Sequence, residues 1–259
     1  MKVVIFAGGL GTRLMEETEA RPKPMVEIGG KPILWHIMKI YEHQGFNEFV
    51  ICLGYKQEMV KEYFINYYYN NSDITIDLNK NETTVHYKPK ENFKITLVDT
   101  GYSTNTAGRL KLIEQYTENK TFMLTYGDGV SNINLNRLYK FHKSNGKIAT
   151  LTSVQLPGRY GNLDINKSGH VIKFVEKPKD EAVWINGGFM VLEPEVFKYL
   201  SGDVKDIQFE KGPLIQLSKN NQLVSYKHNG FWKCMDALRD KLELETLWAT
   251  GKAPWKLWN

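Results

Sequence analysis

The feature that most restricts the fold is an alternation of apolar β-branched runs with helical patterns. Residues 2–8 ("KVVIFAG") and 48–55 ("EFVICLGY") read as buried strands, and residues 32–45 between them have the period of an amphipathic helix that stops at Gly45. Strand–helix–strand units of this kind have right-handed crossovers and form parallel sheets. The alternation therefore predicts an α/β fold.

Further along the chain the pattern changes twice. Three short alternating runs between residues 70 and 101 ("DITIDL", "TTVHYK" and "KITLVDTG") suggest a small β insertion, and strands dominate residues 148–192. The other predicted elements are helices over 56–69, 106–117, 134–145, 210–219 and from about 237, with strands over 121–129 and 222–228. With no linker or repeat, we expect one domain over 1–259, built on a mixed, mostly parallel sheet flanked by helices with small β additions.

Composition limits the kinds of molecule that the protein is expected to bind. The 259 residues carry a formal charge of +5, but Lys and Arg are scattered, which favours a local pocket for a small anion over a nucleic-acid groove. No apolar stretch approaches the roughly 20 residues that span a bilayer, and the first apolar run is too short for a signal peptide. The two cysteines, Cys52 and Cys234, fit no metal or redox spacing. We expect a cytoplasmic protein with no membrane or nucleic-acid partner.

A glycine-rich loop, "AGGLGTR" at residues 7–13, directly follows the first strand. Ligands of open α/β sheets bind at that edge, and glycine lets backbone N–H groups approach an anion closely. The dinucleotide fingerprint would need a glycine where Leu14 stands, and "GGKP" at 29–32 fails the Walker A pattern. A different phosphate cradle and a simple tight turn both remain open.

Lys23 lies between Pro22 and Pro24. Two prolines fix φ on both sides, so this lysine cannot lie inside a helix and is held on a stiff, extended segment. From these residues alone, it is either a presented functional cation or a surface lysine in a proline turn.

Together, "GGLGTR" at 8–13 and "RPKP" at 21–24 resemble the two-part signature of the sugar-phosphate nucleotidylyltransferases. The resemblance runs along nearly the whole chain and is closest to the glucose-1-phosphate cytidylyltransferase branch. Stretches that carry it include "LVDTG", "GRLK", "YGDGV", "EKPK", "INGGF" and "MDALRDK". It implies a Rossmann-like nucleotide-diphospho-sugar transferase fold, with a nucleotide-binding half over about 1–130 and a sugar-phosphate-binding and C-terminal part over about 131–259. We also expect a homo-oligomer.

The resemblance implies transfer of CMP from CTP to α-D-glucose 1-phosphate, which yields CDP-glucose and pyrophosphate by in-line attack on the α-phosphorus. Arg13 and Lys23 would be catalytic, with Arg13 on the β- and γ-phosphates and Lys23 near the α-phosphate. The residues implied in nucleotide binding are Phe6, Ala7, Gly8, Gly9, Leu10, Gly11, Thr12, Arg13, Lys23, Ser103, Gly108 and Gly127. The polar loop 99–109 would select cytosine by accepting a hydrogen bond from its exocyclic amine.

The resemblance also implies that Asp128 and Asp236 hold Mg²⁺, which prefers oxygen ligands. Taken alone, Asp128 fits an Asx turn and Asp236 fits the N-cap of the last helix equally well. Glu176 would accept from sugar hydroxyls and Lys177 would contact the sugar-linked phosphate. The residues implied in the sugar-phosphate pocket are Gly161, Glu176, Lys177, Asn186 and Gly187.

Four residues depart from the pattern of the branch: Tyr102, Ala107, Gly212 and Cys234. They leave open a cytidylyltransferase that acts on a different sugar or polyol phosphate. A non-catalytic nucleotide-binding subunit is a third alternative, disfavoured because Lys23, Asp128 and Asp236 are all retained.

Overall fold

A mixed eight-stranded sheet forms the centre of the molecule. The computed structural model describes residues 1–9, 14–87, 90–155, 162–165, 168, 170–175 and 183–258. In chain order the strands are β1 (Lys2–Phe6), β2 (Glu27–Ile28), β3 (Lys31–Pro32), β4 (Glu48–Leu53), β5 (Ile74–Asp77), β6 (Glu82–Val85), β7 (Lys94–Asp99), β8 (Phe122–Tyr126), β9 (Gly129–Ser131), β10 (Ala149–Gln155), β11 (Asn162–Ile165), β12 (Val171–Val175), β13 (Trp184–Asn186), β14 (Met190–Leu192), β15 (Leu223–His228) and β16 (Trp232–Cys234). The α-helices are α1 (Met15–Thr18), α2 (Ile33–His43), α3 (Gln57–Ile65), α4 (Tyr67–Asn70), α5 (Thr106–Leu112), α6 (Leu135–Asn145), α7 (Pro213–Lys219) and α8 (Leu238–Ala249).

The sheet has the order β13-β10-β14-β8-β1-β4-β7, and β15 also pairs with β10. Strand β1 is parallel to both of its neighbours, with Phe6 opposite Cys52 of β4 and Tyr126 of β8. Antiparallel pairing begins between β8 and β14. Because β1, β4 and β8 run the same way, the loops after Phe6, Leu53 and Tyr126 leave the sheet at one edge. This confirms the predicted mixed, mostly parallel sheet.

One predicted strand was assigned to the wrong sheet. Residues 94–101 were expected in the small β insertion, but β7 joins the main sheet parallel to β4, with Leu97 opposite Ile51. The cause is that β7 is an edge strand, half-buried over most of its length, so its sequence alternates as an insertion strand would. The insertion is only the hairpin β5–β6, a separate two-stranded sheet in which Ile76 lies opposite Thr83.

Three predicted helices differ from the helices observed. The helix expected over 106–117 ends at Leu112 and is followed by a 3₁₀ turn, Glu114–Thr117. The helix expected over 210–219 begins at Pro213, because proline disfavours helical backbone in the residue before it. The helix expected over 56–69 is divided at Asn66 into α3 and α4.

Successive residues of β1 pack on opposite faces of the sheet, so the core has two parts. Val3 and Ile5 pack in the cluster that contains α2, whereas Val4 and Phe6 pack in the cluster that contains α5. None of the described helices is long and apolar enough to cross a membrane. The division of the domain near residue 130 stays a prediction.

Residues beyond α8 complete the first part of the core. Trp255 is fully buried, and its Nε1–H donates to Nδ1 of His36 at 3.4 Å. His36 lies in α2 with its Nε2 2.8 Å from the carbonyl oxygen of Ile28. Burial lowers the pKa of His36 to about 4, so this imidazole is neutral at pH 7.

Candidate active site

Lys23 is held at the centre of the site by the backbone around it. Pro22 is extended, with φ −67° and ψ 148°, and a single 3₁₀ turn, Lys23–Met25, follows with Pro24 and Met25 buried. The side chain is only 13% exposed, with Nζ 2.7 Å from Oδ2 of Asp128 and 2.8 Å from Oδ1 of Asp236. Lys23 is therefore not a surface lysine, and it brings the two predicted metal ligands together.

Asp128 and Asp236 are joined by backbone pairing. Asp128 lies between β8 and β9, and Asp236 follows β16, which is antiparallel to β9 with Cys234 opposite Gly129. The N–H of Met235 donates to the carbonyl of Asp128 at 2.8 Å. Two aspartates distant in sequence are thus fixed on adjacent turns at the carboxyl edge of the sheet.

Asp236 is not the N-cap of the last helix, so that interpretation was wrong. The carboxylate of Asp240 accepts from the N–H groups of Asp236 and Ala237 at 3.1 and 2.9 Å, which satisfies the start of α8. Because Asp240 has this role, the carboxylate of Asp236 is available to Lys23.

The electrostatics of the cluster favour a charged lysine. Burial acts to lower the pKa of Lys23, but attraction by Asp128 and hydrogen bonds to both carboxylates outweigh it and raise that pKa. An ammonium group between two carboxylates shows that these oxygens are arranged to hold a positive charge.

Cys234 is a member of this cluster that the sequence did not indicate. Its Sγ and one carboxylate oxygen from each of Asp128 and Asp236 all lie within 4.8 Å of one another. The thiol is half-buried; burial, followed by the charge of Asp128, raises its pKa. Asp236 lies two residues away in sequence, but Asp128 joins Cys234 only through the pairing of β16 with β9, which sequence spacing does not reveal. The other cysteine, Cys52, is buried in β4.

A cavity of about 260 Å³ opens beside Lys23. Its lining comes from the loop after β1, the proline segment, the start of α5 and the end of β8. The lining residues are Phe6, Ala7, Gly8, Gly9, Lys23, Pro24, Thr104, Asn105, Thr106, Arg109, Tyr126, Gly127 and Asp128. The structure thus brings together the predicted nucleotide residues Phe6–Gly9, Lys23 and Gly127, while Leu10, Gly11, Thr12 and Arg13 lie outside the described residues.

Arg109 braces the glycine loop from behind. It is 4% exposed and donates to the carbonyls of Gly8 and Leu53 at 3.0 and 2.8 Å, and to the hydroxyl of Thr100 at 2.6 Å. A Cβ on Gly8 would lie 2.2 Å from Arg109 NH1, so this close approach requires glycine. Burial lowers the pKa of Arg109, yet a guanidinium stays protonated at neutral pH. Sequence reasoning placed Arg109 only in the base-selecting loop 99–109, because nothing in its own neighbourhood shows that it reaches the glycine loop.

A second hydrogen-bond network connects the cavity to the predicted sugar side. The hydroxyl of Tyr126 donates to Oε1 of Glu210 at 2.5 Å and accepts from Nδ2 of Asn186 at 3.2 Å. Thr106 donates to the other oxygen of Glu210 at 2.9 Å. Burial, then the charge of Glu210, raises the pKa of Tyr126, which keeps the phenol protonated. Sequence analysis did not identify Tyr126 and Glu210 as site residues, because the role of each depends on hydrogen bonds to residues distant in sequence.

Several predicted residues lie apart from this cavity. Ser103 is exposed. Gly108 lines a neighbouring cavity of about 510 Å³, and a Cβ added at this position would lie 2.9 Å from the Cα of Lys205. Gly187 accepts a hydrogen bond from Trp232 Nε1 at 2.7 Å. Gly161, Glu176 and Lys177 lie outside the described residues, so their sugar-phosphate roles stay predictions.

The arrangement suits phosphate chemistry. A glycine loop, a buried ammonium and a carboxylate pair meet at one cavity, at the edge where α/β sheets bind ligands. The carboxylate oxygens are ligands that hard divalent ions prefer, and Lys23 supplies a charge that can neutralise phosphate oxygens. Such a site can hold a polyphosphate and stabilise charge that develops at phosphorus.

Comparison with known proteins gives agreement over the whole chain. The family model described as nucleotidyl transferase matches residues 2–235. The glucose-1-phosphate cytidylyltransferase of Salmonella typhimurium is 52% identical over 260 residues, which cover 100% of both chains. The mannose-1-phosphate guanyltransferase of Saccharomyces cerevisiae is 30% identical, over 98% of this chain and 66% of its own. The crystal structure of an apo UDP-glucose pyrophosphorylase superposes with a TM-score of 0.68 at 18% identity, covering 97% of this chain and 99% of the other. That likeness confirms the predicted fold class.

Proposed function

The chain belongs to the nucleotidyl transferase family, and we propose that it transfers CMP from CTP to α-D-glucose 1-phosphate, releasing CDP-glucose and pyrophosphate. The observation that carries this proposal is the 52% identity over full length to a glucose-1-phosphate cytidylyltransferase. The identity to a mannose-1-phosphate guanyltransferase is lower, at 30%. The cavity beside Lys23 supplies groups that suit the reaction.

Enzymes of this family use a divalent metal, and we propose Mg²⁺ held by Asp128 and Asp236. The residues fit this ion, because two carboxylates meet at a point where they already share a cation, the ammonium of Lys23. When bound, Mg²⁺ supplies positive charge to phosphate oxygens.

The bond changes follow from the substrates. An oxygen of the sugar 1-phosphate attacks the α-phosphorus of CTP, a new P–O bond forms, and the bond to the β-phosphate oxygen breaks to release pyrophosphate. The protein provides positioning and charge neutralisation for this in-line transfer. Lys23 holds the α-phosphate and the incoming phosphate together, and the backbone N–H groups of the loop after β1 hold the triphosphate. Arg13 is proposed to neutralise the departing phosphates.

We propose that base selection occurs where loop 99–109 enters the cavity. Cytosine accepts hydrogen bonds at O2 and N3, whereas uracil carries a proton at N3. Carbonyls of the loop would accept from the cytosine amine, whereas Arg109 holds the loop in place through its bonds to the carbonyls of Gly8 and Leu53. Mispairing with uracil would leave buried polar groups without partners.

On the sugar side, Asn186 is the described residue that contacts the cavity network, through Tyr126. We propose that Asn186 and Gly187, with Gly161, Glu176 and Lys177, bind the hexose phosphate. The Tyr126–Glu210 pair then fixes Asn186 relative to the nucleotide cavity.

The decisive experiment is a matrix of nucleoside triphosphates against sugar and polyol phosphates, monitored by pyrophosphate release with Mg²⁺. We expect CTP with glucose 1-phosphate to give by far the highest kcat/KM. A different preferred acceptor with CTP would establish the alternative cytidylyltransferase. Absence of turnover in every pair, from folded protein, would support a non-catalytic nucleotide-binding subunit.

We propose a homo-oligomer that acts in the cytoplasm, where nucleoside triphosphates and sugar phosphates are available. The hairpin β5–β6 supports self-association, since an isolated two-stranded sheet is marginally stable in water and this one exposes Ile74, Ile76 and Leu78. We call these three residues the hairpin patch. Light scattering of the purified protein and cell fractionation test the two statements.

A further inference from the structure

We propose that Cys234 is a third metal ligand, which makes the aspartate pair a binding site for thiophilic divalent ions such as Zn²⁺ or Cd²⁺. This inference rests on the proposed metal site of Asp128 and Asp236, and it concerns which ions that site accepts. Soft thiolate ligands select soft or borderline ions, whereas carboxylates alone suit Mg²⁺.

The geometry places one sulfur and two oxygens around a common point. The three candidate ligand atoms lie within 4.8 Å of one another. Ligand atoms on a tetrahedral Zn²⁺ are about 3.5 Å apart, given bond lengths of about 2.0–2.3 Å. Small side-chain rotations therefore suffice to close the site, and a fourth position stays open to a phosphate oxygen or water.

The backbone holds these ligands in register. Cys234 is the last residue of β16 and pairs with Gly129, directly after Asp128, while Asp236 follows two residues later on the same chain segment. The sulfur of Cys234 lies within 4.8 Å of a carboxylate oxygen of Asp236. Ligands on paired strands and their adjacent turns are positioned more precisely than ligands on long loops.

Ion binding replaces the bonds that the three ligands make in its absence. The Cys234 S–H bond breaks, its proton is released to solvent, and a sulfur–metal bond forms without any redox change. The ammonium of Lys23 gives up its hydrogen bonds to Asp128 and Asp236. A thiophilic ion therefore competes with Mg²⁺ for the same two carboxylates and holds a sulfur that Mg²⁺ does not use.

The test uses Cd²⁺ as the probe, without substrates. Titration of the reduced protein should produce the ultraviolet charge-transfer absorption of a thiolate–cadmium bond, and calorimetry should give both Cd²⁺ and Mg²⁺ affinities. We expect Cys234→Ser to abolish the absorption and to weaken Cd²⁺ on the order of 10²-fold, with Mg²⁺ affinity nearly unchanged. Cys52→Ala is the matched control, because Cys52 is fully buried in β4, and it should retain both signals.

A measurement on the wild-type protein does not depend on whether Cys234→Ser folds. In that protein, bound Cd²⁺ should protect Cys234 from alkylation. Absence of the absorption, or equal Cd²⁺ affinity in the protein and in Cys234→Ser, overturns the inference while leaving the Mg²⁺ site and the substrate matrix unaffected. If Asp128→Asn with Asp236→Asn changes neither Mg²⁺ nor Cd²⁺ binding, the proposed metal site itself fails and the inference fails with it.

Discussion

The ammonium of Lys23 lies 2.7 Å from the carboxylate of Asp128, although 105 positions separate the two residues in sequence. The same ammonium contacts Asp236, so one lysine links a proline-flanked segment to the two turns proposed to hold the metal. This contact accounts for the prolines on both sides of Lys23, because the segment has to be stiff for one side chain to reach both carboxylates.

The first prediction concerns turnover. Lys23→Ala should lower kcat about 10²–10³-fold, the loss expected from removing one preorganised charge-stabilising donor. The measurement is pyrophosphate release with saturating CTP, glucose 1-phosphate and Mg²⁺. Lys120→Ala is the control, because Lys120 is 74% exposed just before β8, at the opposite edge of the sheet, and should leave kcat unchanged. Wild-type turnover in Lys23→Ala would remove this lysine from the mechanism.

The second prediction concerns metal affinity in Lys23→Ala, which removes the ammonium between Asp128 and Asp236. Without the ammonium, Asp128 and Asp236 repel each other, so Lys23→Ala should bind Mn²⁺ more tightly in the absence of substrates, by about tenfold or more. Electron paramagnetic resonance of free Mn²⁺ gives the affinity, with Lys120→Ala again expected to match the wild type. Equal or weaker binding by Lys23→Ala would show that lysine and metal do not share these oxygens.

A third prediction follows from the brace behind the glycine loop. Arg109→Met removes three buried charge-assisted hydrogen bonds, to the carbonyls of Gly8 and Leu53 and to the hydroxyl of Thr100, which should destabilise the fold by about 3 kcal/mol. For a protein of this size that corresponds to a fall in melting temperature of roughly 6–12 °C. Arg137→Met, at an exposed position of α6, is the control and should melt like the wild type. Matching melting temperatures for the two variants would contradict the role of Arg109.

The fourth prediction uses the hairpin patch. Ile76→Asp with Leu78→Asp should convert the proposed oligomer to monomers, which light scattering after size-exclusion chromatography measures directly. The control is Thr84→Asp on the opposite face of the hairpin, because Thr84 pairs with Thr75 rather than with Ile76. An unchanged mass in the double variant would place the interface elsewhere.

The fifth prediction is a pH dependence from His36. Burial lowers the pKa of this imidazole to about 4 in the folded state, below its value of about 6.5 in the unfolded chain. The unfolded state therefore binds more protons in this range, and the free energy of unfolding falls as pH falls from 6.5 toward 4. His36 should contribute a loss of about 2 kcal/mol between pH 7 and pH 5.

Urea unfolding of the wild type and His36→Gln at both pH values isolates this contribution. His142 and His228, whose pKa values are also lowered by burial, act alike in both proteins and cancel in the comparison. Equal pH dependence in the two proteins would refute the assignment to His36.

What the sequence could predict was set by local signals. The alternation of buried strands and amphipathic helices identified the parallel part of the sheet, since strands such as β1 and β4 are apolar on both faces. β7 was predicted to belong to the insertion because it is a half-buried edge strand and is therefore not apolar on both faces. The prolines beside Lys23 correctly excluded a helix interior, but the expected extended backbone holds only for Pro22, since Lys23 begins a single 3₁₀ turn.

Residues whose roles come from long-range pairing could not be found in this way. Cys234 reaches Asp128 only because β16 pairs with β9, and Glu210 reaches Tyr126 from a segment 84 positions away. Arg109 acts on Gly8 from 101 positions away. Neither periodicity nor motif spacing reveals such long-range contacts. Sequence analysis therefore did not assign these residues the functions that depend on partners distant in sequence.

The indole of Trp255 closes the packing around His36 from a point 219 residues downstream. During synthesis on the ribosome, α2 is therefore made long before the aromatic rings that cover it. The first strands and helices can form early, but the face of α2 that carries His36 stays open to water or to a chaperone until the segment around Trp255 has emerged. Stable burial of that face is consequently a late event in the life of each nascent chain.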